Sequence, residues 1–105
     1  MDSYDPDTLS KDEAYEFASN GRRRSLIRTL IADGAQPLSR VVEEVVADAR
    51  EESSGDSSAD ARRNVRVALG HTDIPRLAAG DVLDYDYADE VVAPGDRIEE
   101  LEPLV

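Results

Sequence analysis

Cysteine and tryptophan are missing from this chain, histidine and methionine occur once each, and a single lysine stands against eleven arginines. Without cysteine there is no disulfide and no thiolate metal site. One histidine, His71, cannot hold a zinc ion alone. No apolar run approaches the ~20 residues a membrane-spanning helix needs. The acidic, polar start "MDSYDPDTLS" lacks the basic and apolar regions of a signal peptide. Catalytic signatures are missing as well: there is no nucleophile beside a base, no GxGxxG, no phosphate-binding loop and no HExxH. The acidic stretch "DYDYADE" has neither the glycine nor the spacing of a calcium loop. These absences point to a cytoplasmic protein that is not an enzyme and carries no metal and no cofactor.

What the chain has in abundance is carboxylate. Aspartate and glutamate number 24 against 12 basic residues, for a net charge of −12 over 105 residues, a length that suits one small domain. Carboxylate-rich, lysine-poor surfaces suit a cytoplasm of molar salt, where a Debye length of about 3 Å screens self-repulsion. A halophilic source is the reading this favours; an ordinary acidic protein is the alternative. The positive charge is confined to two islands. Residues 21–31 carry four arginines and no acid, and residues 59–77 carry four arginines against two aspartates.

Residues 1–9 read as a flexible acidic tail. Ser10 followed by Glu13 is a capping box, and Ala14, Phe17 and Ala18 follow at helical spacing. Asn20-Gly21 either ends that helix or begins the next, whose apolar face is Leu26, Ile27, Leu30 and Ile31 and whose stop is Asp33-Gly34. After a short extended link at Pro37-Leu38, Ser39 is placed to cap "RVVEEVVADAR". Its valine pairs flank two glutamates and do not alternate with period two, so the segment reads as helix despite the strand preference of valine. "EESSGDSSAD" has linker composition. Ser58 or Asp60 then caps a helix with Val65, Ala68, Leu69 and Thr72 on its buried stripe. The stripe slips in phase to Ile74, Leu77 and Ala78 because Pro75 lacks an N–H and would clash with the His71 carbonyl. The helix therefore either kinks near residues 70–73 or restarts with Thr72 or Asp73 as its cap. Beyond Gly80-Asp81, Leu83, Tyr85 and Tyr87 alternate with aspartates as a half-buried strand. Ala88-Asp89 turns it, Val91, Val92 and Ala93 return, and Pro94-Gly95 ends the hairpin. The tail 95–105 offers Ile98, Leu101 and Leu104 at roughly helical spacing, as a packing segment, a homodimer contact or a frayed end.

Helix, helix, link, helix, linker, helix and hairpin looks like a winged helix-turn-helix: an α+β, mostly α fold with a trihelical core, a two-stranded wing and an extra N-terminal helix, over residues 10–94. The segments "SNGRRRSLIRTLIADG", "PLSRVVEEVVA" and "RRNVRVALGHTDIPRLAAGDVLDYD" resemble a group of small haloarchaeal winged-helix proteins taken to be transcriptional regulators. The chain departs from that pattern where the helix usually closes with Ala-Gly. Here glycine sits one residue earlier, so either the turn shifts or Asp81 takes a positive φ.

The resemblance implies double-stranded DNA as partner, read in the major groove by the third helix of the trihelical core. Arg62, Arg63, Asn64 and Arg66 lie at its front; arginine reads guanine and asparagine reads adenine there. The same arginines could instead bridge to Glu43 or Glu44. His71 and Arg76 are weaker candidates for DNA contact. Arg22, Arg23 and Arg24 fall in the first turn of their helix, where cations oppose the macrodipole. They are candidates for phosphate contact, or for pairing with the acidic flanks. The wing tip, Tyr87–Glu90, is acidic and phosphate would repel it. The competing expectation is a protein–protein module, an adaptor or antagonist that has kept the fold without DNA. A homodimer would form through Ile98, Leu101 and Leu104 or through the N-terminal helix.

Overall fold

The structure is a computed structural model that describes residues 10–53 and 59–105; the acidic tail and the centre of the linker, with Ser58, lie outside the described residues. Ser10 opens α1 (Lys11–Phe17) with the reciprocal box its spacing predicts: the Glu13 N–H donates to the Ser10 hydroxyl and the Ser10 N–H to the Glu13 carboxylate, at 3.1 and 3.2 Å. Asn20 serves the following helix. Its side chain accepts from the Arg23 N–H at 2.8 Å at the start of α2 (Gly21–Asp33), which stops at Gly34 with φ +76°.

The extended link is β1 (Gln36–Pro37), a third strand beyond the expected two-stranded wing. The next helix, α3 (Leu38–Ser53), begins two residues earlier than expected and continues past Glu51, so Ser39 lies within its first turn and does not cap it. Val41, Val42, Val45 and Val46 are all buried, which explains how a valine-rich segment is held helical: the core selects the face. Across the linker, α4 (Ala59–Ala68), a π-helical turn (Leu69–Asp73) and α5 (Ile74–Ala79) follow without a break, and Asp60 sits inside α4. The π turn is how the chain accommodates Pro75. The Ile74 N–H donates to the Leu69 carbonyl five residues back, widening the helix just where proline would strike an ordinary one. Neither Thr72 nor Asp73 caps a new helix. Thr72, expected on the buried stripe, is exposed, and Asp73, outside that stripe, is fully buried.

A hairpin, β2 (Leu83–Asp86) and β3 (Val91–Pro94), completes an antiparallel sheet in the order β1-β3-β2, with Val92 opposite both Gln36 and Tyr85. The fold is α+β, mostly helical, and its element order is compatible with a winged helix-turn-helix. The core gathers Phe17, Leu26, Ile27, Leu30, Leu69, Ile74 and Leu77 with the valines of α3 and with Val82, Leu83 and Val92 from the sheet. It also takes in the C-terminal segment, a 3-10 helix over Ile98–Leu104. Ile98 and Leu101 are buried within this chain and Leu104 packs against its core, so the three do not form an exposed dimer face.

The wing joins the helices through a tight corner. A Cβ on Gly80 would stand 2.5 Å from Phe17 Cζ, so glycine is needed there for close packing, and the left-handed conformation falls on Asp81 instead, at φ +63°. Gly95 passes equally close to the corner: a Cβ would meet the Asp81 carbonyl oxygen at 2.4 Å. Urea denaturation should therefore separate neighbouring substitutions. Gly80→Ala lowers stability by about 1–3 kcal/mol through overpacking against Phe17, whereas Asp81→Gly raises it by up to about 1 kcal/mol by relieving the positive φ. Shifts of the same sign would contradict this division of roles.

Candidate functional site

The arginines divide into two sets according to the elements that carry them. The first converges on Asp73. This carboxylate is fully buried in the π turn, where a charged group persists only if paired and hydrogen-bonded. Arg22 reaches it with two bonds, a short one from Nε–H to Oδ2 and one from Nη2 to Oδ1 at 3.2 Å, and Arg23 adds Nε–H to Oδ1 at 2.9 Å. The Asp73 hydrogen bond raises the Arg22 pKa above its ordinary value, against the opposing effect of burial. The residual donors go to the chain end of α1: Arg23 Nη1 donates to the Glu16 carbonyl and Arg24 Nη1 to the Ala18 carbonyl, both at 3.0 Å. The cations that oppose the α2 dipole are thus answered by an anion fifty residues downstream. Arg23 is 8% exposed, and Arg22 and Arg24 are half-buried with guanidinium groups bonded within the fold, to Asp73 and to the Ala18 carbonyl. The acidic flanks do not supply the main partner. The signal was present in the sequence as an aspartate at an apolar position between Leu69 and Leu77.

Arg76 belongs with this set. Nε and Nη2 grip the Glu16 carboxylate at 2.6 Å each, and the guanidinium lies 5.0 Å from the Phe17 ring centroid. The pair holds the Glu16 carboxyl below the usual glutamate range, chiefly through the hydrogen bond from Arg76. Arg76 therefore ties α1 to α5 rather than extending the arc on α4. His71 is exposed on the π turn, one turn beyond that arc.

The second set stands on α4, a helix with no fully buried side chain. Val65 packs partly against the core, while Arg62, Arg63, Asn64 and Arg66 are exposed. Val67, at 51% exposure, is an apolar surface residue that the sequence reading did not single out. With Ser39, Val42 and Glu43 of α3, Arg62, Arg63 and Arg66 line a shallow groove of about 240 Å³. Each arginine faces a carboxylate. Arg62 Nε donates to Glu43 on α3 at 2.7 Å, Arg66 Nη2 to Glu90 on the wing at 3.1 Å, and Arg63 lies 3.8 Å from Asp60 one turn back on α4. The bridge to Glu43 is one of the alternatives the sequence offered; the link to Glu90 was not expected. Exposed pairs of this kind contribute about 0–1 kcal/mol, so they exchange readily for another anion.

The wing beside this row is acidic and tightly folded. Asp86 Oδ1 accepts from the Ala88 and Asp89 N–H groups at 2.9 and 3.2 Å, closing the turn in the way aspartate does at such positions. Glu90 follows at φ +53°, and its carbonyl accepts from the Leu38 N–H at 2.8 Å. The Tyr85 and Tyr87 rings meet edge to face at 4.6 Å, with Tyr87 74% exposed; burial, then the charge of Glu90, pushes the Tyr85 phenol up. Among the described residues no group of three or more histidine, cysteine or carboxylate side chains is placed to hold a metal ion, and no helix is long and apolar enough to cross a membrane.

The chain belongs to a family described as a domain of unknown function (DUF7344), whose model matches residues 15–93, from α1 into β3. No curated protein and no solved structure matches it.

The two sets of arginines should respond differently to mutation. Asp73→Ala strands the Arg23 guanidinium in the interior and costs about 3–5 kcal/mol of stability, with Asp73→Asn between it and the wild type. Urea titration followed by circular dichroism checks this; a loss below about 1 kcal/mol from Asp73→Ala would remove the structural role given to the cluster.

Proposed function

We propose that this protein is a DNA-binding regulator whose α4 enters the major groove, with Arg62, Arg63, Asn64 and Arg66 against the bases and neighbouring phosphates. The observation that carries the reading is the row of exposed arginines on a helix with no fully buried side chain, while Arg22 and Arg23 are committed to the buried Asp73. Arginine presents a planar fork that pairs bidentately with guanine, and asparagine does the same for adenine. Wing and tail take no direct part. Asp84, Asp86, Asp89 and Glu90 are exposed on the wing, and phosphate repels them. The surplus of carboxylate, with eleven arginines to one lysine, supports a halophilic archaeal or viral source and a cytoplasmic setting in which molar salt screens that repulsion.

A second reading draws on the same row of arginines. Since each faces a carboxylate, a winged-helix module that binds another protein and not DNA would carry the same surface.

Selection of bound duplexes from a randomised pool, followed by fluorescence anisotropy on the enriched sequence in molar KCl, separates the two. The DNA reading expects a defined motif to be enriched and Arg63→Ala/Arg66→Ala to bind it at least about tenfold more weakly. Failure to enrich any motif favours the protein-binding module; equal binding of an enriched motif by both proteins removes the reading role of α4.

A further inference from the structure

We infer that Glu43 and Glu90 are exchangeable internal anions on the α4 arginines, displaced by nucleic-acid phosphate, and that this exchange makes the interface weakly dependent on salt. The inference rests on the DNA reading above and concerns how that same surface is regulated.

The two carboxylates reach α4 from different elements. Glu43 comes from α3 and meets Arg62 at 2.7 Å; Glu90 comes from the wing and meets Arg66 at 3.1 Å. Glu43 lines a groove with Val42, Arg62, Arg63 and Arg66. Both acids are more than half exposed, as side chains, so they can turn away into water without leaving a buried charge behind. Glu90 also occupies a backbone position with φ +53°, a conformation that glycine or asparagine would adopt with less strain. A glutamate held there, with its side chain on Arg66, places a carboxylate beside the α4 row at the cost of local backbone strain.

Salt dependence follows from the exchange. A phosphate that meets an unpaired cation releases the counterions condensed on DNA, and affinity falls as salt rises, by about 0.9 in the logarithmic slope for each phosphate neutralised. Here the arginine already carries an anion. When phosphate replaces Glu43 or Glu90, the displaced carboxylate recruits cations from solution, and this uptake offsets the release. The two exchanges together flatten the slope, by less than the release from two phosphates would steepen it. Such an interface binds less tightly at low salt than its arginine count implies, and loses little as salt becomes molar. The carboxylates thus set the ionic range in which the surface works.

The test uses the full chain and the duplex enriched in the selection described above, with affinity measured from about 0.2 to about 2 M KCl. Wild type is compared with Glu43→Gln, Glu90→Gln, the double variant, and Glu44→Gln. The last removes the same charge from a neighbouring residue for which no ion pair is found among the described residues. Circular dichroism confirms that each variant is folded at every salt used. The expected result is a steeper slope in each single variant at residue 43 or 90, by less than about 0.9, and a larger steepening in the double. The double should bind about tenfold or more tightly at the low-salt end, and Glu44→Gln should keep the wild-type slope. Equal slopes throughout, an equal steepening in Glu44→Gln, or weaker binding by the double variant at low salt would each overturn the exchange while leaving DNA binding intact. If neither wild type nor any variant binds duplex, the DNA reading falls and the exchange falls with it.

Discussion

A single carboxylate, Asp73, organises the molecule. It sits with no solvent exposure where the third helix of the trihelical core widens into a π turn, and it takes three hydrogen bonds from Arg22 and Arg23 at the start of α2. Burying one charge is costly, and removing either partner of such a group leaves the other stranded. The cluster therefore fixes how the N-terminus of α2 meets the helix that carries the exposed arginines. Its reach extends further through Arg23, which also bonds the Glu16 carbonyl, and through Arg76, which grips the Glu16 side chain. In this way α1, α2, the π turn and α5 are joined by guanidinium groups over a core of Phe17, Leu26, Ile27, Ile74 and Leu77.

Much of this was legible in the sequence because it is local. The Ser10–Glu13 box, the apolar face of α2, the glycine stop at residue 34 and the alternation of Leu83 and Tyr85 with aspartates are patterns over a few residues, and each appears in the structure, although the strand ends at Asp86 and leaves Tyr87 exposed. The long-range features were harder to read. Gln36–Pro37 becomes a strand only because β3 lies beside it, and two residues have no periodicity to detect. Pro75 announced a disturbance but not its form, since a kink, a restart and a π turn satisfy the same missing N–H. Most instructive is the first arginine cluster. Three consecutive cations at a helix start look alike in the sequence; in the structure two of them, Arg22 and Arg23, close on Asp73, fifty positions away. The clue was an aspartate in phase with Leu69 and Leu77, an apolar position that a charged residue holds only with partners.

That cluster also sharpens what the positive charge of the protein is for. The chain has twice as many acids as bases, so its arginines have no shortage of internal partners. Those buried with Asp73 or laid over Phe17 hold the fold together. Those on α4 meet carboxylates too, but in water, where pairs are weak and readily exchanged. What sets Arg22 and Arg23 apart from the α4 arginines is burial rather than pairing, and burial is what a sequence conveys least directly. The acidic wing fits the same scheme: Glu90 lies next to Arg66, and Asp84, Asp86 and Asp89 are exposed beside it.

The most direct examination of this division is nuclear magnetic resonance of the arginine Nε–H groups during titration with the selected duplex. The Arg22 and Arg23 signals should be protected from solvent exchange and stay in place, while those of Arg62, Arg63 and Arg66 exchange rapidly when the protein is alone and move as duplex is added. If Arg22 and Arg23 exchange freely and move with the duplex, or if the α4 arginines remain unmoved while duplex binds, the assignment of structural and reading roles is wrong.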